Sequence, residues 1–276
     1  MFGFSEASNE NKPEYPVEMQ MVSKLPTHEI ISVVAYSQDI GHPDLRHRRI
    51  TAGLNRLTVR YVGSSDHQQE FEKIFFCSLA LTADVYLVAD NEEICDEYID
   101  RCEKDNVFFD SQVNAPQEIW PYVLSPEAKS RLRAWQRCAA GCGIESYFCD
   151  VKDWPRGAAP KECLPTQLPG IMMFSSKRNG LMTSKELLAA QGLHMYPHQD
   201  GSFVSGFTNV FDRLTPAQRQ RLAGGSLNAA LYSAFVWFVL SNTVPVEQVE
   251  PRSFAMCDVS SDEEDGTQDD PHANSG

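Results

Sequence analysis

The sequence is short of positive charge, of paired cysteines and of long apolar runs, and each shortage removes a class of function. Lys and Arg number 24 against 38 Asp and Glu, a formal net charge of −14 over 276 residues. An extended surface that tracks a phosphate backbone needs clustered basic residues, so this balance argues against one. Seven carboxylates fall between residues 258 and 270, beyond the last basic residue Arg252, yet the remainder of the chain is still acidic. The eight cysteines contain no C-x-x-C pair, which leaves no zinc framework of the usual spacing. Reduced thiols in an intracellular protein of the nucleus or cytoplasm are the expectation. The most apolar run, residues 229–240, is shorter than the ~20 residues needed to span a bilayer, so no membrane partner is expected. His194 and His198 stand at i and i+4, but Pro197 breaks the helix that would align them, and no metal site is expected.

What is present reads as a mixed α/β chain. Val17, Met21 and Leu25 recur at helical spacing before Pro26, and residues 28–36 (HEIISVVAY) form a β-branched run expected to be a buried strand. Residues 41–49 (GHPDLRHRR) read as a basic turn, followed by a strand pair or one interrupted strand over 50–54 and 57–62. Helices are expected at 66–76 and 92–104, with a strand between them at 84–88. Ser125-Pro126 opens a helix that Gly141 and Gly143 stop. Residues 150–170 read as a connector. Thr183 with Glu186 is a capping box for a helix ending at Gly192, and Thr215-Pro216 starts another. Residues 226–242 (SLNAALYSAFVWFVLSN) are expected to be a largely buried helix, and 245–276 a disordered acidic tail.

Three separated segments resemble the later motifs of cytosine-C5 DNA methyltransferases. Glu10-Asn11 in NENKPEYP resembles the family's Glu-Asn-Val segment, with Lys12 in place of the valine. A carboxyl group there hydrogen-bonds the flipped cytosine, so the resemblance implies Glu10 as a catalytic residue. Gly41, Pro43, Asp44, Arg46 and Arg48 resemble Gly-x-Pro-Gln-x-Arg-x-Arg, with Asp44 in place of the glutamine. The resemblance implies that Arg46 and Arg48 face the base carbonyl and the backbone phosphate, work suited to permanently charged planar donors. By composition alone the same segment is a surface basic turn on an acidic protein. The closing segments, Leu164-Pro165-Thr166, residues 183–192 (TSKELLAAQG) and 222–227 (LAGGSL), resemble a Pro-Thr, a helix ending in Gln-Gly, and a Gly-Asn-Ser turn before a long apolar helix. Gly225 stands at the asparagine of that turn, and the resemblance implies Gly224 and Ser226 as cofactor-binding residues. The same pattern is similar to methyltransferase-like families of dinoflagellate algae.

The resemblance implies a partial Rossmann-like methyltransferase sheet with an inserted mixed α+β target-recognition-like lobe. Residues 1–63 are the distal part of the catalytic domain, 64–214 the recognition-like region, and 215–244 the returning helix. The implied cofactor is S-adenosylmethionine and the implied partner DNA. The family's nucleophile is a thiol after a proline, and this sequence contains no Pro-Cys dipeptide; only eight residues precede the first matched stretch, too few for the glycine-rich cofactor turn. The expectation is therefore a truncated or divergent member, inactive alone and not binding S-adenosylmethionine by itself, that meets a separate N-terminal methyltransferase half or self-associates. The alternative is a noncatalytic intracellular protein-binding module, to which the acidic run after Ser260-Ser261 would contribute.

Overall fold

A computed structural model of the chain describes residues 4–6, 17–78, 81–108, 115–155, 160–197, 206 and 208–248. The first part is built on a three-stranded antiparallel sheet. Strand β1 (Phe4–Glu6) precedes helix α1 (Val17–Lys24), and β2 (His28–Tyr36) and β3 (His47–Asn55) follow. The order is β1-β3-β2, with His28 opposite Asn55 and Tyr36 opposite His47. Alternation puts Ile31, Val33, Ile50, Ala52 and Leu54 on one buried face, the period-2 pattern expected of strands covered on that side. Strand β4 (Val59–Tyr61) and helix α2 (His67–Phe75) complete this part. The outer edge of β2 is partly stoppered by the α2 side chain Gln68, whose amide donates to the Val34 carbonyl at 2.9 Å and accepts from the Val34 N–H at 2.8 Å. A side-chain amide thus stands where a neighbouring strand would.

The central part joins helices α3 (Asn91–Lys104), α4 (Pro116–Val123) and α5 (Pro126–Cys142) to a small antiparallel sheet of β5 (Phe148–Asp150), β6 (Met173–Ser175) and β7 (Gly180–Leu181). Its core holds Tyr98, Ile119, Leu132, Phe174 and Leu181. Helix α6 (Ser184–Ala189) starts at the Thr183/Glu186 capping box. The fully buried Glu186 does more than cap: it takes a fork from Arg178 at 2.5 and 2.6 Å and the Ala89 N–H at 2.9 Å. A second buried acid, Glu97 of α3, accepts from the Ser184 N–H and hydroxyl, so two carboxylates tie α6 to the rest of the lobe. Helices α7 (Thr208–Phe211) and α8 (Pro216–Gly225) pack around Leu187, Leu188 and Ala223.

The chain then returns to the first sheet. Helix α9 (Ala229–Ser241) lays Leu231, Phe235, Phe238 and Val239 on the apolar face of β2 and β3, and β8 (Thr243–Pro245) pairs antiparallel with β4. The protein is a mixed α/β structure with small sheets. Every strand ladder among the described residues is antiparallel, and the one parallel contact is an isolated bridge between Asp44 and Leu164.

Several local expectations are corrected. Residues 84–88 are not a strand: Ala83–Tyr86 forms a 3-10 turn closed by Leu87 N–H to the Asp84 carbonyl, with no strand edge to accept it. Of 57–62 only Val59–Tyr61 is strand, and its partner is β8 at the far end of the chain rather than β3. The ordered chain extends past 245 through a 3-10 turn at Val246–Gln248; the acidic run at 258–270 lies outside the described residues. Helix α9 starts at Ala229, where Asn228 caps it, and is buried on one side only, Trp237 being 68% and Leu240 50% exposed. By length and composition the 25 residues of 217–241 could cross a membrane, although α8 and α9 are separated there and the inner side of α9 is core.

Candidate functional site: a buried polar joint

The segment read as a basic surface turn is an internal joint. After β2 a 3-10 turn at Ser37–Ile40 ends in Gly41, whose φ of 83° lies in the left-handed region that glycine adopts without a Cβ clash. The chain then runs alongside the Leu-Pro-Thr segment. Leu45 N–H donates to the Leu164 carbonyl at 2.9 Å, Leu164 N–H to the Pro43 carbonyl at 3.0 Å, and the Thr166 hydroxyl to the Leu45 carbonyl at 3.1 Å. Arg46 and Arg48 are only 3% and 7% exposed, which rules out a solvated turn.

Four regions of the chain contribute polar groups to this joint. Arg46 Nη1 donates to Gln191 Oε1 at 2.9 Å, and the Gln191 carbonyl accepts the Ala229 N–H at 2.7 Å. Gly192, with φ of 79°, lies against the start of α9: a Cβ there would stand 3.2 Å from the Ala230 nitrogen. Asn228 Oδ1 accepts the Leu231 N–H at 2.9 Å, leaving its Nδ2 to donate to His42 Nδ1 at 3.3 Å. His42 Nε2 lies 2.8 Å from the Tyr86 hydroxyl. With Nδ1 accepting, the Nε2–H tautomer follows and donates to Tyr86. Burial pulls the His42 pKa down to about 4, so the ring is neutral near pH 7.

Asp44 sits at the centre with no exposed surface. Burial raises its pKa from 3.8 to about 7; Arg46, the Asn228 amide, Arg48 and the Gln191 amide all pull the other way. Desolvation wins because neither carboxylate oxygen has a donor in full hydrogen-bonding geometry among the described residues. Arg48 Nη1 donates to the His47 carbonyl at 2.7 Å. The joint is a closed polar core, and its chemistry is that of a clamp between the sheet, the central lobe and α9.

The residues singled out for chemistry fare differently. Arg46 and Arg48 are brought together, buried in the joint. Glu10 lies outside the described residues. Gly224 is in the last turn of α8, and a Cβ on it would lie 2.1 Å from the Leu168 carbonyl oxygen, so backbone fills the space a cofactor would need. Ser226 donates its hydroxyl to the Ala223 carbonyl at 2.8 Å beside a groove walled by Leu193, Tyr232 and Trp237. These two residues do not fit S-adenosylmethionine, since neither presents an unused polar group to a pocket of matching polarity. The turn before the apolar helix does carry an asparagine, but it is Asn228 rather than position 225. Asn228 and His42 stand outside the residues that the resemblance picks out, and Gln191 enters it only through the Gln-Gly helix end; an asparagine directly before Ala-Ala-Leu is an N-cap signal that points to Asn228.

No family model matches the chain, and no curated protein matches it. Among solved structures it is similar to the crystal structure of a triple mutant of DNMT2 from Spodoptera frugiperda, with a TM-score of 0.38 and 14% identity over 87% of this chain and 66% of that one.

Proposed function

We propose that this chain forms the distal, noncatalytic part of a cytosine-C5 methyltransferase-like fold, a partial Rossmann-like sheet with a recognition-like lobe. The observation that carries this reading is convergence. The segments that resemble the family, at 41–48, 164–166 and 183–192, meet the start of α9 in one buried joint although they are far apart in sequence. In this reading Arg46 and Arg48 hold the lobe to the sheet, and any approach to DNA requires the joint to open.

Five of the eight thiols fit a noncatalytic role. A nucleophilic cysteine needs a lowered pKa. Burial instead pushes Cys95, Cys102, Cys138, Cys149 and Cys163 up, away from the thiolate. Methyl transfer from S-adenosylmethionine to DNA would then need a partner segment that supplies the cofactor turn and the Pro-Cys thiol. The exposed strip of α9, with Trp237 beside a groove of about 540 Å³, suits contact with such a half or with a second copy. It equally suits a protein-binding module, the second reading. Either role belongs in the nucleus or cytoplasm.

The test is incubation of the purified chain with duplex DNA and labelled S-adenosylmethionine, with sedimentation of the wild type and Trp237→Ser in parallel. No label should transfer, and the wild type should associate more strongly than the variant. Incorporation of label by the chain alone would refute the proposal.

A further inference from the structure

A second site lies away from the joint, in a cleft of about 770 Å³ among the end of α3, the start of α5 and the start of α8. We propose that this cleft binds a small phosphate ester of the nucleotide class, its phosphate held by Lys104, Lys129 and Lys152 beside the positive end of α5 and its flat apolar portion against Tyr122 and Met172.

Charge is the first observation. Five cations line the cleft, Arg101, Lys104, Lys129, Arg131 and Lys152, against one lining acid, Asp105, in a protein of net charge −14. Two of the five are matched: Arg101 pairs with Glu97, and Arg131 with Glu127 at 3.3 Å. Lys104, Lys129 and Lys152 keep most of their charge for the cleft. Lys152 donates to the Gly170 carbonyl, and Asp150 near it accepts the backbone N–H groups of Lys152 and Met172 at 2.9 and 3.2 Å. Burial lowers the Lys152 pKa; Asp150 opposes that, and the like charge of Arg101 adds to it. Cations that repel one another across a cleft are relieved by an anion.

Geometry is the second. Helix α5 is 17 residues long, and its opening residues Ser125, Pro126 and Ala128 line the cleft, so the positive end of its dipole adds to the lysines. Arg101 lines the cleft while only 7% exposed and paired with Glu97, so the exposed Lys104, Lys129 and Lys152 are the cations open to a ligand. Third, the cleft is too large and too apolar for an inorganic anion. Val107, Tyr122, Leu124, Met172 and Ala217 form its apolar wall, and its volume falls within the roughly 300–1,000 Å³ typical of organic ligands.

The experiment is calorimetric titration of the full chain at low salt with ADP, inorganic pyrophosphate and a short single-stranded oligonucleotide, repeated on the variant Lys104→Ala/Lys129→Ala. Both lysines are exposed, so the variant should keep the far-ultraviolet spectrum and melting temperature of the wild type. ADP should bind saturably, more tightly than pyrophosphate, and the variant should weaken it roughly tenfold. Absence of saturable ADP binding, or equal affinity in the variant, overturns the proposal. Pyrophosphate binding as tightly as ADP removes the role of the apolar wall and overturns the nucleotide class. An oligonucleotide bound far more tightly than ADP, and dependent on the same lysines, overturns the small-ligand assignment in favour of a nucleic-acid strand.

Discussion

Replacing Asp44 by asparagine should change how the stability of this protein depends on pH. Asp44 is fully buried, and its pKa in the fold is about 7 against an ordinary 3.8. Folding holds such an acid protonated. Below about pH 4 both folded and unfolded chains carry the proton, and Asp44 makes no contribution that varies with pH. Between there and about pH 7 the unfolded chain releases its proton first, so stability falls as pH rises, and above pH 7 the loss is complete. At about 1.36 kcal/mol per pKa unit, the loss is on the order of 4 kcal/mol, a large fraction of the ~5–15 kcal/mol that holds a typical domain together. An asparagine side chain cannot ionise, and its amide can still meet Asn228 and Gln191, so the Asp44→Asn variant should lack this slope. It should be close to wild type near pH 4 and more stable near pH 8, by less than the full amount because Arg46 and Arg48 lose their nearby carboxylate. Urea unfolding monitored at both pH values measures each term directly. Equal pH slopes for the wild type and Asp44→Asn would refute the claim that desolvation dominates at the joint.

Two further substitutions test the packing at the end of α8 and the cap of α9. Gly224→Ala places a Cβ 2.1 Å from the Leu168 carbonyl oxygen and should cost about 1–3 kcal/mol by urea unfolding. Gly141→Ala in α5, where nothing lies within 4 Å, should be neutral or stabilise by up to about 1 kcal/mol and serves as its control. Asn228→Ala removes both the cap of α9 and the amide that faces His42, and should cost about 1–2 kcal/mol with selective loss of amide-exchange protection in the first turn of α9.

The elements legible from sequence are those whose signal is local. The β-branched run of β2 needs only its own residues to favour extended backbone. Ser125-Pro126 and Gly143 mark the two ends of α5 because capping and the left-handed φ of 66° at Gly143 are decided within one turn. The same holds for the Thr183/Glu186 capping box, although nothing local announced that Glu186 would also anchor Arg178 and Ala89. Residues 84–88 misled because their β-favouring composition has meaning only beside a strand edge, and none is there.

By itself, then, the sequence determined a mixed α/β chain, the starts of its longer helices, the lack of a Pro-Cys nucleophile and the resemblance that groups residues 41–48 with the closing helices. Tertiary structure alone decided that β4 pairs with β8, that one side of α9 faces outward with Trp237, and that Arg46 and Arg48 are buried around Asp44 rather than displayed on a basic turn. The physical reason is range. Capping and strand propensity act over a few residues, whereas the burial of a charge depends on which distant segments arrive to replace its water, here those bearing Gln191 and Asn228.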